Sequence, residues 1–155
     1  MAFTTYSGPL RVGTVKEGSG RNTGVVVLTQ TFPFTKANTG AFSTGITLPA
    51  GSQIIAQYVD TSVVWNSGTS DALEIGTSTD PDAYGDVADL QATAGRLTVT
   101  MDADQAALCP NIGTADKTIY LKINSSGTAA ATGTARYTVV YAQKTAAGVA
   151  NPTSV

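Results

Sequence analysis

The chain contains no histidine, one cysteine and one tryptophan, and only 13% of its 155 residues are charged. Each shortage closes off a class of function. Without an imidazole there is no side chain whose ordinary pKa lies near neutrality, so Ser-His-Asp and Cys-His nucleophilic plans are excluded. The commonest transition-metal ligand is missing with it. A single Cys109, followed by Pro110, rules out an internal disulfide framework and reads as a small buried or half-buried thiol. Gly18-Ser19-Gly20 lacks a following Lys-Thr or Lys-Ser pair, so no phosphate cradle is present. No run reaches the roughly 18 apolar residues of a membrane span. Met1 to Leu10 lacks the basic and apolar regions of a signal peptide, so the expectation is a cytosolic chain with no membrane contact and an unused Asn124-Ser125-Ser126 sequon.

What the chain does have is strand. Its hydrophobic fraction is 42%, enough for a core that buries roughly 70% of the unfolded surface of a domain this long. Valine and threonine suit a pleated, half-buried surface. Ile119, Leu121 and Ile123 alternate with Thr118, Tyr120 and Lys122, the period-two signature of a strand with one buried face. Ala135, Tyr137, Val139 and Tyr141 repeat it against Thr134, Arg136, Thr138 and Val140, and Leu97, Val99 and Met101 and the pair Leu73 and Ile75 give two more. Upstream, Val26, Leu28, Phe32 and Phe34 share a parity, as do Phe42, Ile46 and Leu48. Residues 53–65 are apolar on both parities, which fits a doubly covered central strand, a bulge or an interface. One short helical stretch, Asp102 to Leu108, is cut off by Pro110. Seven or eight short strands with turns between them predict an all-β fold, an antiparallel β-sandwich of jelly-roll-like form. The expected organisation is an extended N-terminal arm over 1–22, a β-sandwich domain over 23–144 and a C-terminal tail over 145–155.

Chemistry is harder to find than sheet. Asp80-Pro81-Asp82-Ala83-Tyr84-Gly85-Asp86 has the alternate carboxylates of a calcium loop. Tyr84 stands where the fifth ligand belongs, and Gln91 where a bidentate Glu belongs. An acidic turn held by Pro81 is favoured, with an irregular calcium site as the alternative. Asp71 with Glu74, or Asp102 with Asp104, are the carboxylate pairs a glycosidase could use. In a strand Asp102 and Asp104 would share a face about 7 Å apart, a separation matching neither mechanism well. Neither catalytic residue, metal nor cofactor is expected. Tyr58, Trp65 and Tyr84 are candidates for oligomer or surface contacts or for stacking on sugars, although a lone strand tryptophan is more often core.

Charge is unevenly spread. Arg11, Lys16, Arg21 and Lys36 face only Glu17 in the first 36 residues, whereas residues 60–104 hold nine acids against Arg96. The net charge of −2 argues against nucleic acid as a partner. Such a split suits a contact with an oppositely charged scaffold or subunit, and equally a set of solvated loops.

Leu48-Pro49-Ala50-Gly51-Ser52, the strand running to Trp65, and Asp71 to Tyr84 resemble small virion proteins encoded among the head genes of tailed bacteriophages. Asp89-Leu90, Ala94-Gly95-Arg96, Lys117-Thr118-Ile119-Tyr120 and Gly133 to Tyr141 keep the same order, so the likeness spans residues 46–142. The resemblance is to capsid decoration or cement proteins, and it implies a non-enzymatic β-sandwich on the outer capsid surface of the virion. It further implies a homotrimer whose partner is the major capsid protein and whose role is capsid stabilisation. Arg11, Lys16 and Arg21 are the candidate capsid-contact residues of the arm. A phage tail or head-fibre component, or a carbohydrate-binding module, is the alternative.

Overall fold

The strand-forming segments close into two sheets in a computed structural model that describes residues 25–144. The expected arm, with Arg11, Lys16 and Arg21, and the expected tail lie outside the described residues. Eight strands follow in order: β1 Val25–Thr35, β2 Gly40–Leu48, β3 Gln53–Val63, β4 Ser70–Gly76, β5 Gly85–Val87, β6 Gly95–Leu97, β7 Lys117–Ser126 and β8 Thr134–Lys144. A single turn-and-a-half of helix, α1 Ala103–Leu108, lies between β6 and β7.

Sheet A has the order β1-β8-β3-β6 and sheet B the order β2-β7-β4-β5. The two halves of the chain therefore meet in mirrored sequence. β1 lies beside β8, β2 beside β7, β3 beside β6 and β4 beside β5, with successive pairs alternating between sheets. This is the topology of a jelly roll, two Greek keys wrapped around one core. The sandwich expected from the alternating pattern is the fold found.

The inward rows are those the alternation marks. Ile119, Leu121 and Ile123 of β7 are buried with Leu73 and Ile75 of β4 and Ile46 and Leu48 of β2; Ala135, Tyr137, Val139 and Tyr141 of β8 and Val59 of β3 belong to the same core. Each large apolar side chain buried this way contributes about 1.5–3 kcal/mol, so packing replaces the missing disulfides. An aromatic chain ties the two sheets together. Phe32 and Phe34 of β1 lie 6.2 and 6.1 Å from Phe42 of β2, and Phe34 lies 5.5 Å from Trp65. Gly133 makes room for that indole: a Cβ there would sit 2.5 Å from the Trp65 ring, and its φ of 154° also disfavours a side chain.

The ambiguous segment resolves as a bulge. Between Ile54 and Ala56 the β3–β8 register shifts, so Ile54 is buried, Ile55 turns out to solvent, and Val59 and Thr61 face inward on the opposite parity. Elsewhere the pattern overreaches. The expected strand through Leu97, Val99 and Met101 stops at Leu97, because Thr100 leaves β3 and bridges to Asp86 of β5 with backbone hydrogen bonds of 2.9 and 2.8 Å. Met101 is consequently 50% exposed. The helical stretch is real. Asp102 caps it by accepting from the Gln105 N–H while the Gln105 side chain accepts from the Asp102 N–H.

Candidate interaction surface

The outer face of sheet A gathers side chains from strands far apart in sequence. Asp60 of β3 stands opposite Arg136 of β8 on one side and Arg96 of β6 on the other. Arg96 grips the Asp60 carboxylate as a fork, Nε to Oδ1 at 3.0 Å and Nη2 to Oδ2 at 3.3 Å. Arg136 reaches Oδ2 at 3.6 Å. The hydrogen bond from Arg96 is the main reason the Asp60 carboxyl is held below the ordinary carboxylate range, with burial opposing it and Arg136 adding to it. Two guanidinium groups thus share one carboxylate, leaving the row net positive.

Tyr58 supports this row. The Arg96 guanidinium lies 4.2 Å from the centre of the Tyr58 ring, a cation–π contact that holds the planar donor flat on the sheet. Beside it Thr138, opposite Tyr58, meets the Thr31 hydroxyl at 3.1 Å. An open groove of about 400 Å³ runs past Pro33, Asp60, Ser62, Thr134 and Arg136. The face offers fixed donors with exposed guanidinium edges, a surface suited to carboxylates or backbone carbonyls on a partner.

Sheet B presents the opposite balance. On its outer face Glu74 accepts from Lys122 Nζ at 2.8 Å and from the Asn124 amide. Asp86 follows on β5, accepting from Gln105 Nε2 at 2.7 Å. Burial, with the neighbouring charges of Asp82, Glu74 and Asp102, outweighs that hydrogen bond and raises the Asp86 pKa. Asp80 is raised as well, chiefly because its carboxyl shares a hydrogen bond with Asp82. Among the described residues no group of three or more cysteine or acidic side chains is placed to hold a metal ion.

The remaining sequence candidates divide between surface and interior. Tyr58 lies on the sheet A face, whereas Trp65 and Tyr84 are each 2% exposed and pack in the core. Asp71 is buried, and Glu74 is engaged with Lys122. Asp102 is occupied in capping α1. Cys109 is buried beside Met101, with its sulfur 3.6 Å from the thioether, and burial raises its pKa. It borders a small cavity of about 70 Å³ lined also by Ile54, Ala56, Gln57 and Val99.

The Asp60–Arg96–Arg136 row was hidden in the sequence, where its members stand 36 and 76 residues from Asp60. The one available signal is parity. Arg136 falls on the outward positions of its strand, but which strands lie beside it depends on the topology.

No protein-family model matches the chain, and no curated protein sequence matches it. The solved structures do. A chain of the acid-stable capsid structure of Helicobacter pylori bacteriophage KHP30 superposes with a TM-score of 0.56 at 13% identity, covering 77% of this chain and 90% of that one. A chain of the cyanophage Pam1 capsid asymmetric unit superposes with a TM-score of 0.52 at 17% identity, covering 83% and 91%. The shared property is the fold. At these identities the likeness speaks for the path of the backbone through the sandwich and not for any individual side chain.

Proposed function

We propose that this chain is a non-enzymatic structural protein of a phage virion, and within that class a decoration or cement protein bound to the outer surface of the head. The observation that carries the reading is the likeness of its jelly roll to chains of two phage capsid structures. The absence of histidine and the engagement of Asp71, Glu74 and Asp102 in structural hydrogen bonds are consistent with it.

In this reading the rigid sandwich is the body and the binding energy is spread over many weak contacts. Residues 1–22, with Arg11, Lys16 and Arg21, contact the major capsid protein, and the sandwich supplies the contacts of a homotrimer. Linking several modest sites multiplies affinity without any one of them being strong. The Arg96–Asp60–Arg136 row adds a second basic surface for the scaffold, so binding weakens as salt rises. A sugar-binding reading has less to stand on, because Trp65 and Tyr84 are in the core and Tyr58 is covered on one face by Arg96.

The test is addition of the purified chain to heads that lack it. Symmetric density on the outer surface, lost on deleting residues 1–22 while the sandwich stays folded, is the expected result. Full occupancy by the truncated chain would end the arm hypothesis. Binding to a glycan array with none to heads would favour the carbohydrate alternative instead.

A further inference from the structure

Among the described residues the jelly roll has four sheet edges, and three of them are blunted. β5 and β6 are three residues each. β2 is interrupted by a register shift between Ser43 and Thr47, with Gly45 at a φ of 72°. Short strands and bulges are what keep a sheet edge from pairing with another chain. The fourth edge, β1, is not shortened in this way. It is 11 residues long, Val25 to Thr35, with no charged residue and its single proline at position 33. Among the described residues no strand lies beyond it.

The backbone polar groups on that edge can be assigned. Lys36 donates its N–H to Gly133 at the start of β8, at 3.0 Å, whereas Thr35 turns its N–H away to the Asn38 side chain at 2.9 Å. With a period of two along the strand, even-numbered residues address β8 and odd-numbered residues address the open edge. Pro33 falls on the open side, where its missing N–H removes no ladder bond. Val27, Thr29 and Thr31 therefore present N–H and C=O groups outward. Val27 is 58% exposed and Leu28 37%, so apolar surface accompanies the unpaired backbone.

We propose that this edge pairs with β1 of a second copy of the chain, antiparallel and across a two-fold axis. Self-pairing is favoured by the same composition that leaves the edge undefended. An uncharged strand meets its own copy without like-charge repulsion, and valine and threonine make good cross-strand neighbours. An isologous contact places each residue against its symmetry mate. With Thr29 on the axis, Val27 lies opposite Thr31, and the two A sheets join into one of eight strands, β6-β3-β8-β1 continued by the same four in reverse. This contact has two-fold symmetry and stands apart from the three-fold association proposed above; it depends on neither that association nor on capsid binding.

The experiment uses the full-length chain. Sedimentation from micromolar to millimolar concentration measures self-association of the wild type and of Val27→Lys, whose exposed site leaves the core untouched. Single cysteines at Val27, Leu28, Thr29, Gln30 and Thr31 are oxidised and scored for covalent dimer against the wild type, which controls for Cys109. A residue on the axis meets its mate at about 4.5–5.5 Å between Cα atoms, within disulfide reach. The expected result is a disulfide dimer at one of these positions, falling away on either side, and at least tenfold weaker self-association for Val27→Lys. A wild type that stays monomeric at millimolar concentration overturns the proposal. So does self-association that Val27→Lys leaves unchanged, with no cysteine cross-linking above background.

Discussion

Asp71 is the sharpest place to test how this fold holds together. It lies fully inside the sandwich, where its Oδ2 accepts from Gln91 Nε2 at 2.9 Å and from the Ser67 N–H at 3.3 Å, while Oδ1 accepts from the Ser125 hydroxyl. Its own N–H donates to Asp89, which also accepts from the Gln91 N–H, so the group anchors the loop after β5 to the start of β4. Burial pushes the Asp71 pKa upward, but the hydrogen bonds from Ser125, Gln91 and Ser67 win and hold it below the ordinary value. Asp71→Ala removes the acceptor from all three donors. Gln91 keeps Ser67 as an acceptor, so the loss comes mainly from Ser125, the Ser67 N–H and the void. At about 1–1.5 kcal/mol each, that is about 3 kcal/mol of stability. For a domain of this size the melting temperature should fall by about 6–12 °C. Asp71→Asn is the control. Its carbonyl can serve Gln91 and Ser67 while its amide donates to Ser125, whose hydroxyl can accept, so the cost should be about 1 kcal/mol.

The pH dependence carries a sign. A carboxyl whose folded pKa is depressed contributes stability that is fully present above its unfolded pKa, about 3.9, and is lost as pH falls through the folded value. Urea titrations from pH 7 down to pH 2 should therefore show a wild-type decline that Asp71→Asn flattens. If Asp71→Ala falls within 1 kcal/mol of wild type, or if Asn costs as much as Ala, the network is not holding the loop and the reasoning fails.

Three further outcomes follow from the same geometry. Trp65→Ala removes the indole packed on Phe34 and should cost about 3–5 kcal/mol by chemical denaturation, far more than Ile55→Ala at an exposed position. Asp86 has the opposite linkage to Asp71: its folded pKa is raised, so its charge costs stability above the unfolded pKa and the cost disappears as pH falls. Asp86→Asn keeps the Gln105 hydrogen bond and should raise stability at pH 7, with the gain shrinking as pH falls through the carboxylate range. Cys109, buried and with its thiol pKa raised, should resist alkylation in the native state and react at once on unfolding; rapid native labelling would contradict its placement.

Much of this fold is legible in the residues, and the parts that are not share a cause. Ile119, Leu121 and Ile123 state their strand and its buried face outright, and Asp102 with Gln105 and Pro110 marks both ends of α1. These are local signals. Residues 53–65 carry two hydrophobic parities, and only the partner strand decides that the change of face is a bulge at Ile55. Met101 follows the alternation of Leu97 and Val99, yet the chain has by then crossed to pair with Asp86, a tertiary event no window of sequence contains. Leu28 shares the parity of Phe34, but it lies at the exposed end of β1. The surface row suffered most. Arg96 and Arg136 look like ordinary dispersed charges until the order β8-β3-β6 puts Asp60 between them. Trp65 and Tyr84 erred the other way, since an aromatic residue looks the same in sequence whether it faces a partner or the core.

The reading as a head protein is tested most directly by imaging. Heads that lack the chain, incubated with the purified protein at physiological salt and reconstructed with symmetry, should carry new density on their outer surface into which the eight-stranded jelly roll fits. Bare heads at saturating protein, with the chain still folded by its Trp65 fluorescence, would contradict the account.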